Sequence, residues 1–140
     1  MRKLISFKTA INLCLVIFGL FVVFHLAIIM GIVFFNFVPI DFLWGGRMET
    51  KEQLLVFEFI SLFIQVLCLF IILIRAEYLQ MPRFMKIVKV AIWVLFLLFL
   101  LNTFGNIVAK TSFENFFGIV TGLLALLSFR IGIEKVLPEH

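Results

Sequence analysis

Four long apolar runs, separated by short polar breaks, organise the chain. They extend from Ile11 to Val38, from Leu54 to Ile74, from Ile87 to Ala109 and from Phe113 to Ile133. A helix rises about 1.5 Å per residue, so roughly 20 apolar residues cross the ~30 Å hydrocarbon core of a bilayer. Each run meets that length, and the first exceeds it, which predicts tilt or projection beyond the membrane. No segment alternates with period two, which excludes a β-barrel. The pattern therefore predicts an all-α, four-helix transmembrane bundle formed by residues 1–140 as a single integral membrane domain. Short connections make consecutive helices antiparallel neighbours, giving two hairpins. Arg2 and Lys3 resemble the start of a signal peptide. The apolar stretch after them is too long for one and no small-residue cleavage site follows, so an uncleaved signal-anchor helix is expected.

The polar residues inside the runs fall on stripes. A helix turns about 100° per residue. On the first run Cys14, His25 and Asn36 recur every eleven residues, nearly in line. On the second, Glu58, Ser61, Gln65 and Cys68 are spaced three, four and three. Asn102 and Asn106 lie four apart on the third, with Lys110 four further on; Thr121 and Ser128 lie seven apart on the fourth. The other faces carry Leu, Ile, Val and Phe. In lipid, polar stripes turn toward the bundle interior. Counting residues from the run ends places Asn36, Glu58 and Asn106 at one depth, Asn102, Gln65 and His25 deeper, and Cys14 and Cys68 near the opposite side. The expected shape is a polar funnel opening at the end that carries the 39–53 loop.

Composition supports lipid as the solvent. Apolar residues make up 64% of the 140 residues and charged residues 14%; ordinary soluble chains have roughly 45–50% and 25%. The 20 Phe residues need lipid to cover them. The net charge of +4 is no sign of nucleic-acid binding, because Lys and Arg gather at the ends of the runs. Arg2, Lys3 and Lys8, then Arg75, Arg83, Lys86 and Lys89, then Arg130 and Lys135 mark one side; only Arg47, Lys51 and Lys110 mark the other. The positive-inside rule then predicts both termini in the cytoplasm of a cell membrane, the bacterial inner membrane by expectation. Arg130 is expected to snorkel to inner head groups with help from Glu134.

The longest break, from Pro39 to Gln53, contains Asp41-Phe42-Leu43-Trp44-Gly45-Gly46-Arg47. Its paired glycines fit a tight turn with positive φ, and Trp44 suits a membrane interface. The second helix is expected to begin near Met48, with Glu49 in its first turn. On the fourth run Gly118 and Gly122, continued by Ala125, have the small-xxx-small spacing that lets helix backbones approach closely. This edge serves packing within the chain, or contact with a second copy or another membrane protein.

Glu58 is the anomaly among these features. A charged side chain at a bilayer centre costs roughly 2.5–3.5 kcal/mol on insertion scales, which calls for a partner or a purpose. Arg47 and Lys110 are the candidate counter-charges and Asn106 a candidate donor. His25 is expected to hydrogen-bond Gln65, with a proton relay to Glu58 as the sharper alternative. A buried structural pair and a ligand-contacting carboxylate both remain open. No metal-ligand spacing, catalytic motif or cofactor-binding motif is present, and the two cysteines form no C-x-x-C. Taken together, His25, the Trp-Gly-Gly-Arg loop, Val56-Phe57-Glu58 and Asn102-Thr103-Phe104-Gly105-Asn106 resemble small four-helix integral membrane proteins of bacteria, a likeness that carries no activity with it. The leading expectation is a protein that binds or moves a small or lipid-like molecule in a cavity lined by Glu58, His25, Asn102, Asn106, Gln65 and Asn36, with Arg47 and Trp44 at the mouth. An accessory subunit of a membrane complex is the alternative. An intramembrane acid–base enzyme using Glu58 and His25 is the third.

Overall fold

The structure, a computed structural model, describes residues 5–108 and 112–134. Arg2, Lys3, Lys110, Lys135 and His140 lie outside them. Four helices are present: α1 (Phe7–Phe35), α2 (Lys51–Arg75), α3 (Met85–Ile107) and α4 (Ser112–Gly132). Short 3-10 turns at Trp44–Gly46 and Pro82–Phe84 precede α2 and α3. There is no strand among the described residues. All four helices are long and apolar enough to cross a membrane. The chain is a multi-pass membrane protein with the expected all-α four-helix bundle.

Local signals set the helix ends. Ser6 caps α1, its Oγ accepting from the Thr9 backbone N–H at 3.0 Å. The first apolar run continues to Val38, but α1 stops at Phe35. Asn36 adopts a left-handed conformation with φ 50°, a conformation asparagine tolerates better than most residues, and the Phe37 N–H turns back to the Gly31 carbonyl. The expected early start of α2 is likewise corrected. Thr50 is the N-cap, accepting from the Gln53 N–H at 3.2 Å. The Gln53 side chain reaches back to the Glu49 N–H at 2.9 Å. This is a capping box displaced by one residue, and it leaves Glu49 outside the helix.

The helices follow one another around the bundle. α3 and α4 form the closest pair, α1 and α2 the next; α1–α4 and the looser α2–α3 seam join the two hairpins. A Cβ added to Gly118 would lie 3.3 Å from Asn106 Cβ, and one on Gly122 would lie 3.5 Å from Thr103 Cγ2. The small-residue edge of α4 therefore lies against α3 of the same chain, with Ala125 buried beside it.

The bundle's interior is split. A large apolar cluster runs from Ala10, Cys14 and Phe18 through Cys68 and Ile72 to Leu124 and Ile131. A smaller one joins Ile32, Leu43 and Leu54 beneath the 36–50 loop. At the termini end, Arg130 is 4% exposed and does not snorkel. Its Nε donates to the Ile5 carbonyl at 2.7 Å and its Nη1 to Glu134 at 2.6 Å. Arg75 is also buried. It donates to the Glu134 carbonyl at 3.0 Å and stacks over the Phe7 ring at 4.8 Å. These bonds tie the start of α1 and the ends of α2 and α4 together.

Candidate functional site

Between the two apolar clusters lies a cavity of about 450 Å³, within the usual range for small-molecule sites. All four helices and the 36–50 loop contribute to its wall. Phe21, Phe24, Phe99 and Phe117 supply its aromatic surface, and Leu43 and Trp44 close the loop side. Phe117 stacks near Phe21 at 5.9 Å between ring centroids, and Phe18 lies against Phe99 at 5.7 Å. The polar wall comes from His25 on α1, Glu58, Ser61 and Gln65 on α2, Asn102 and Asn106 on α3, and Thr121 on α4. The helical stripes thus converge on one place, as the spacing of each stripe allows.

Glu58 is only 1% exposed and both its oxygens are engaged. His25 Nδ1 lies 2.6 Å from Oε2, and the Trp44 indole N–H donates to Oε1 at 3.0 Å. Trp44 is not among the expected partners, and His25 takes the alternative pairing with Glu58. Arg47 is exposed on the loop, Lys110 is outside the described residues, and His25 bonds Glu58 instead of Gln65. The difference follows from where the two helices end and begin. Depth counted from Val38 and Leu54 puts His25 too deep; ending α1 at Phe35 and starting α2 at Lys51 moves each reference by three residues, about 4.5 Å, and brings His25 closer in depth to Glu58.

Trp44 adopts φ 53°. A bulky residue in the left-handed region carries strain of the order of 1–3 kcal/mol and persists only where its surroundings hold it. Here the bond to Glu58 does so, together with an edge contact to the Phe57 ring at 5.3 Å. Gly46, also at positive φ (66°), completes the turn that aims the indole inward. The Trp-Gly-Gly sequence signalled a turn, but the inward hydrogen bond of Trp44 had no counterpart in hydropathy or spacing.

The two remaining mouth and rim candidates stand elsewhere. The cavity wall does not include Asn36 or Arg47. Asn36 ends α1, and its Oδ1 accepts from Lys51 Nζ at 2.9 Å on the exposed surface. Thr121, which the spacing placed on a polar stripe but not among the site residues, does line the wall. Its hydroxyl donates back to the Phe117 carbonyl at 3.0 Å and lies 3.1 Å from the Thr103 hydroxyl. Cys14 and Cys68 are both buried free thiols in the large apolar cluster, away from the polar wall.

The wall divides into satisfied and unsatisfied groups. Glu58, Trp44 and Thr121 have their partners. Gln65 Oε1 is buried without a hydrogen bond, and none joins Ser61, Asn102 or Asn106 to another described side chain. His25 has committed Nδ1 to Glu58, which leaves Nε2 as the ring nitrogen for anything that enters. Amide side chains have both donor and acceptor atoms, so this wall can hold hydroxyl, carbonyl or amide groups. Among the described residues no Lys or Arg side chain lines it. Fold and cavity together define the class as a four-helix, multi-pass membrane protein with an interhelical cavity whose wall is part aromatic and part polar. Comparison with protein-family models, curated proteins and solved structures finds no match.

Proposed function

We propose that this membrane protein binds a small polar or lipid-like molecule in the cavity between its helices. The observation that carries the reading is the buried Gln65 Oε1, left without a partner, in a wall shared with Asn102, Asn106 and a Glu58 already satisfied by His25 and Trp44. Away from bulk water, an unsatisfied polar group costs several kcal/mol. A filled site offsets that cost. Glu58 acts as a positioning residue. It fixes the His25 ring and draws Trp44 over the cavity, while the amides and His25 Nε2 meet the ligand. The bias of Lys and Arg toward the termini supports a cytoplasmic location for both ends, in a bacterial inner membrane, with the cavity toward the outer side.

Native mass spectrometry of gently extracted protein tests this. The expected result is a retained small molecule on the wild-type chain that is lost from Gln65→Leu and Asn102→Leu but kept by Cys14→Ala. A wild-type chain carrying no adduct, or one equally retained by all three variants, would overturn the proposal.

A further inference from the structure

A second hollow adjoins the cavity. It is a groove of about 560 Å³ between α2 and α3, lined entirely by apolar residues and Cys68. On α3 it runs from Ile87 to Leu98, eleven residues or about 16 Å. Ile64 of α2 and Leu98 of α3 line both hollows and are 41% and 39% exposed, so the two spaces meet at the lipid-facing surface. Gln65 follows Ile64 directly in sequence, and Asn102 stands one turn beyond Leu98 on α3. Here the α2–α3 seam is the loosest junction between neighbouring helices. Passing up the seam, the wall changes from wholly apolar to amide-lined within one helical turn.

We infer that the occupant is an amphiphile with an uncharged, hydrogen-bonding head group and an acyl-length apolar tail, entering from the bilayer between α2 and α3. This rests on the cavity being a binding site and adds what kind of molecule fills it. The tail follows from the groove: it is apolar along its whole length and adjoins the cavity at Ile64 and Leu98. The uncharged head follows from the wall. A phosphate or carboxylate would find no Lys or Arg among the described residues of that wall. A cationic head would find the Glu58 carboxylate already occupied on both oxygens. Hydroxyl and carbonyl groups match the free amides, and Gln65 Oε1 in particular needs a donor. Lateral entry suits the site because the molecule can keep its tail in an apolar medium while the head moves from the membrane interface to the amides.

Photolabelling in reconstituted bilayers tests the inference with three probes. These are a monoacylglycerol with a diazirine at mid-tail, a lysophosphatidic acid with the same tail, and a tail-less diazirine diol. The expected result is monoacylglycerol adducts concentrated at least severalfold on Leu67, Val90 and Val94 over the lipid-facing Val16 and Leu20 of α1. That concentration should fall to the α1 level in Asn102→Leu and in Val94→Trp, which fills the groove. The diol should label the cavity wall in the wild type and still do so in Val94→Trp, which also shows that this variant is folded. Equal labelling by the lysophosphatidic acid would overturn the uncharged head. Diol labelling of the cavity with tail adducts spread evenly over all helices would overturn the amphiphile and leave the cavity proposal standing. If neither the diol nor the monoacylglycerol labels cavity or groove above the α1 level, both proposals fall.

Discussion

Glu58 lies about 10 Å along α2 from its first residue and is the most buried acid in the described part of the chain. Its carboxylate is held by a histidine from α1 and an indole from the connecting loop, so three separate segments meet at one side chain. Removing one member of a buried pair leaves the other uncompensated, at a cost on the order of 3–5 kcal/mol. Glu58→Leu and His25→Phe should each destabilise the bundle on that scale. The double variant should be clearly less destabilised than the sum, because it removes both buried polar groups together. Reversible unfolding in bicelles measures the cycle, and simple additivity would contradict the pairing. The sequence made Glu58 conspicuous, since an acid inside an apolar run needs company. It offered His25, 33 residues away, only as an alternative, and did not offer Trp44, 14 residues away, because the direction of an indole depends on a turn whose φ values hydropathy does not encode.

The helices themselves were legible because lipid imposes a length and a composition on each. Their ends were less so. α1 ends inside its apolar run because Asn36 takes the left-handed conformation, and α2 waits for the Thr50 cap although the Gly-Gly turn lies several residues earlier. Both shifts are of two or three residues, small along a helix but enough to decide which side chains lie level with one another. Packing of α4 on α3 shows the same sensitivity. Gly132 faces the Trp93 ring so closely that an added Cβ would lie 3.1 Å from it, and Trp93 is itself wedged by Phe96 and Phe129. Gly132→Ala should therefore destabilise by about 1–3 kcal/mol. Gly19→Ala, where a Cβ meets nothing within 4 Å, should be neutral or slightly stabilising because alanine is the better helix former. Thermal unfolding of the two variants in the same detergent checks this; equal shifts would mean that α4 does not seat on Trp93 as described.

At the scale of the molecule the two ends of the bundle are built differently. The termini end is closed by Arg75, Arg130 and the Ile5 carbonyl gathered around Glu134, over a continuous apolar cluster. The opposite end is divided by the cavity, with the small Ile32–Leu43–Leu54 cluster above it among the described residues. Sequence periodicity anticipated a polar interior concentrated toward that end. It did not anticipate the apolar groove beside it, because groove residues and lipid-facing residues have the same chemistry and only the separation of α2 from α3 distinguishes them. The most direct measurement is a crystal structure grown from bicelles, without monoacylglycerol in the medium. The account predicts density in the cavity within hydrogen-bonding distance of Gln65 and Asn102, with Glu58 still bonded to His25 and Trp44. A closed cavity in which Gln65, Asn102 and Asn106 satisfy one another would contradict it.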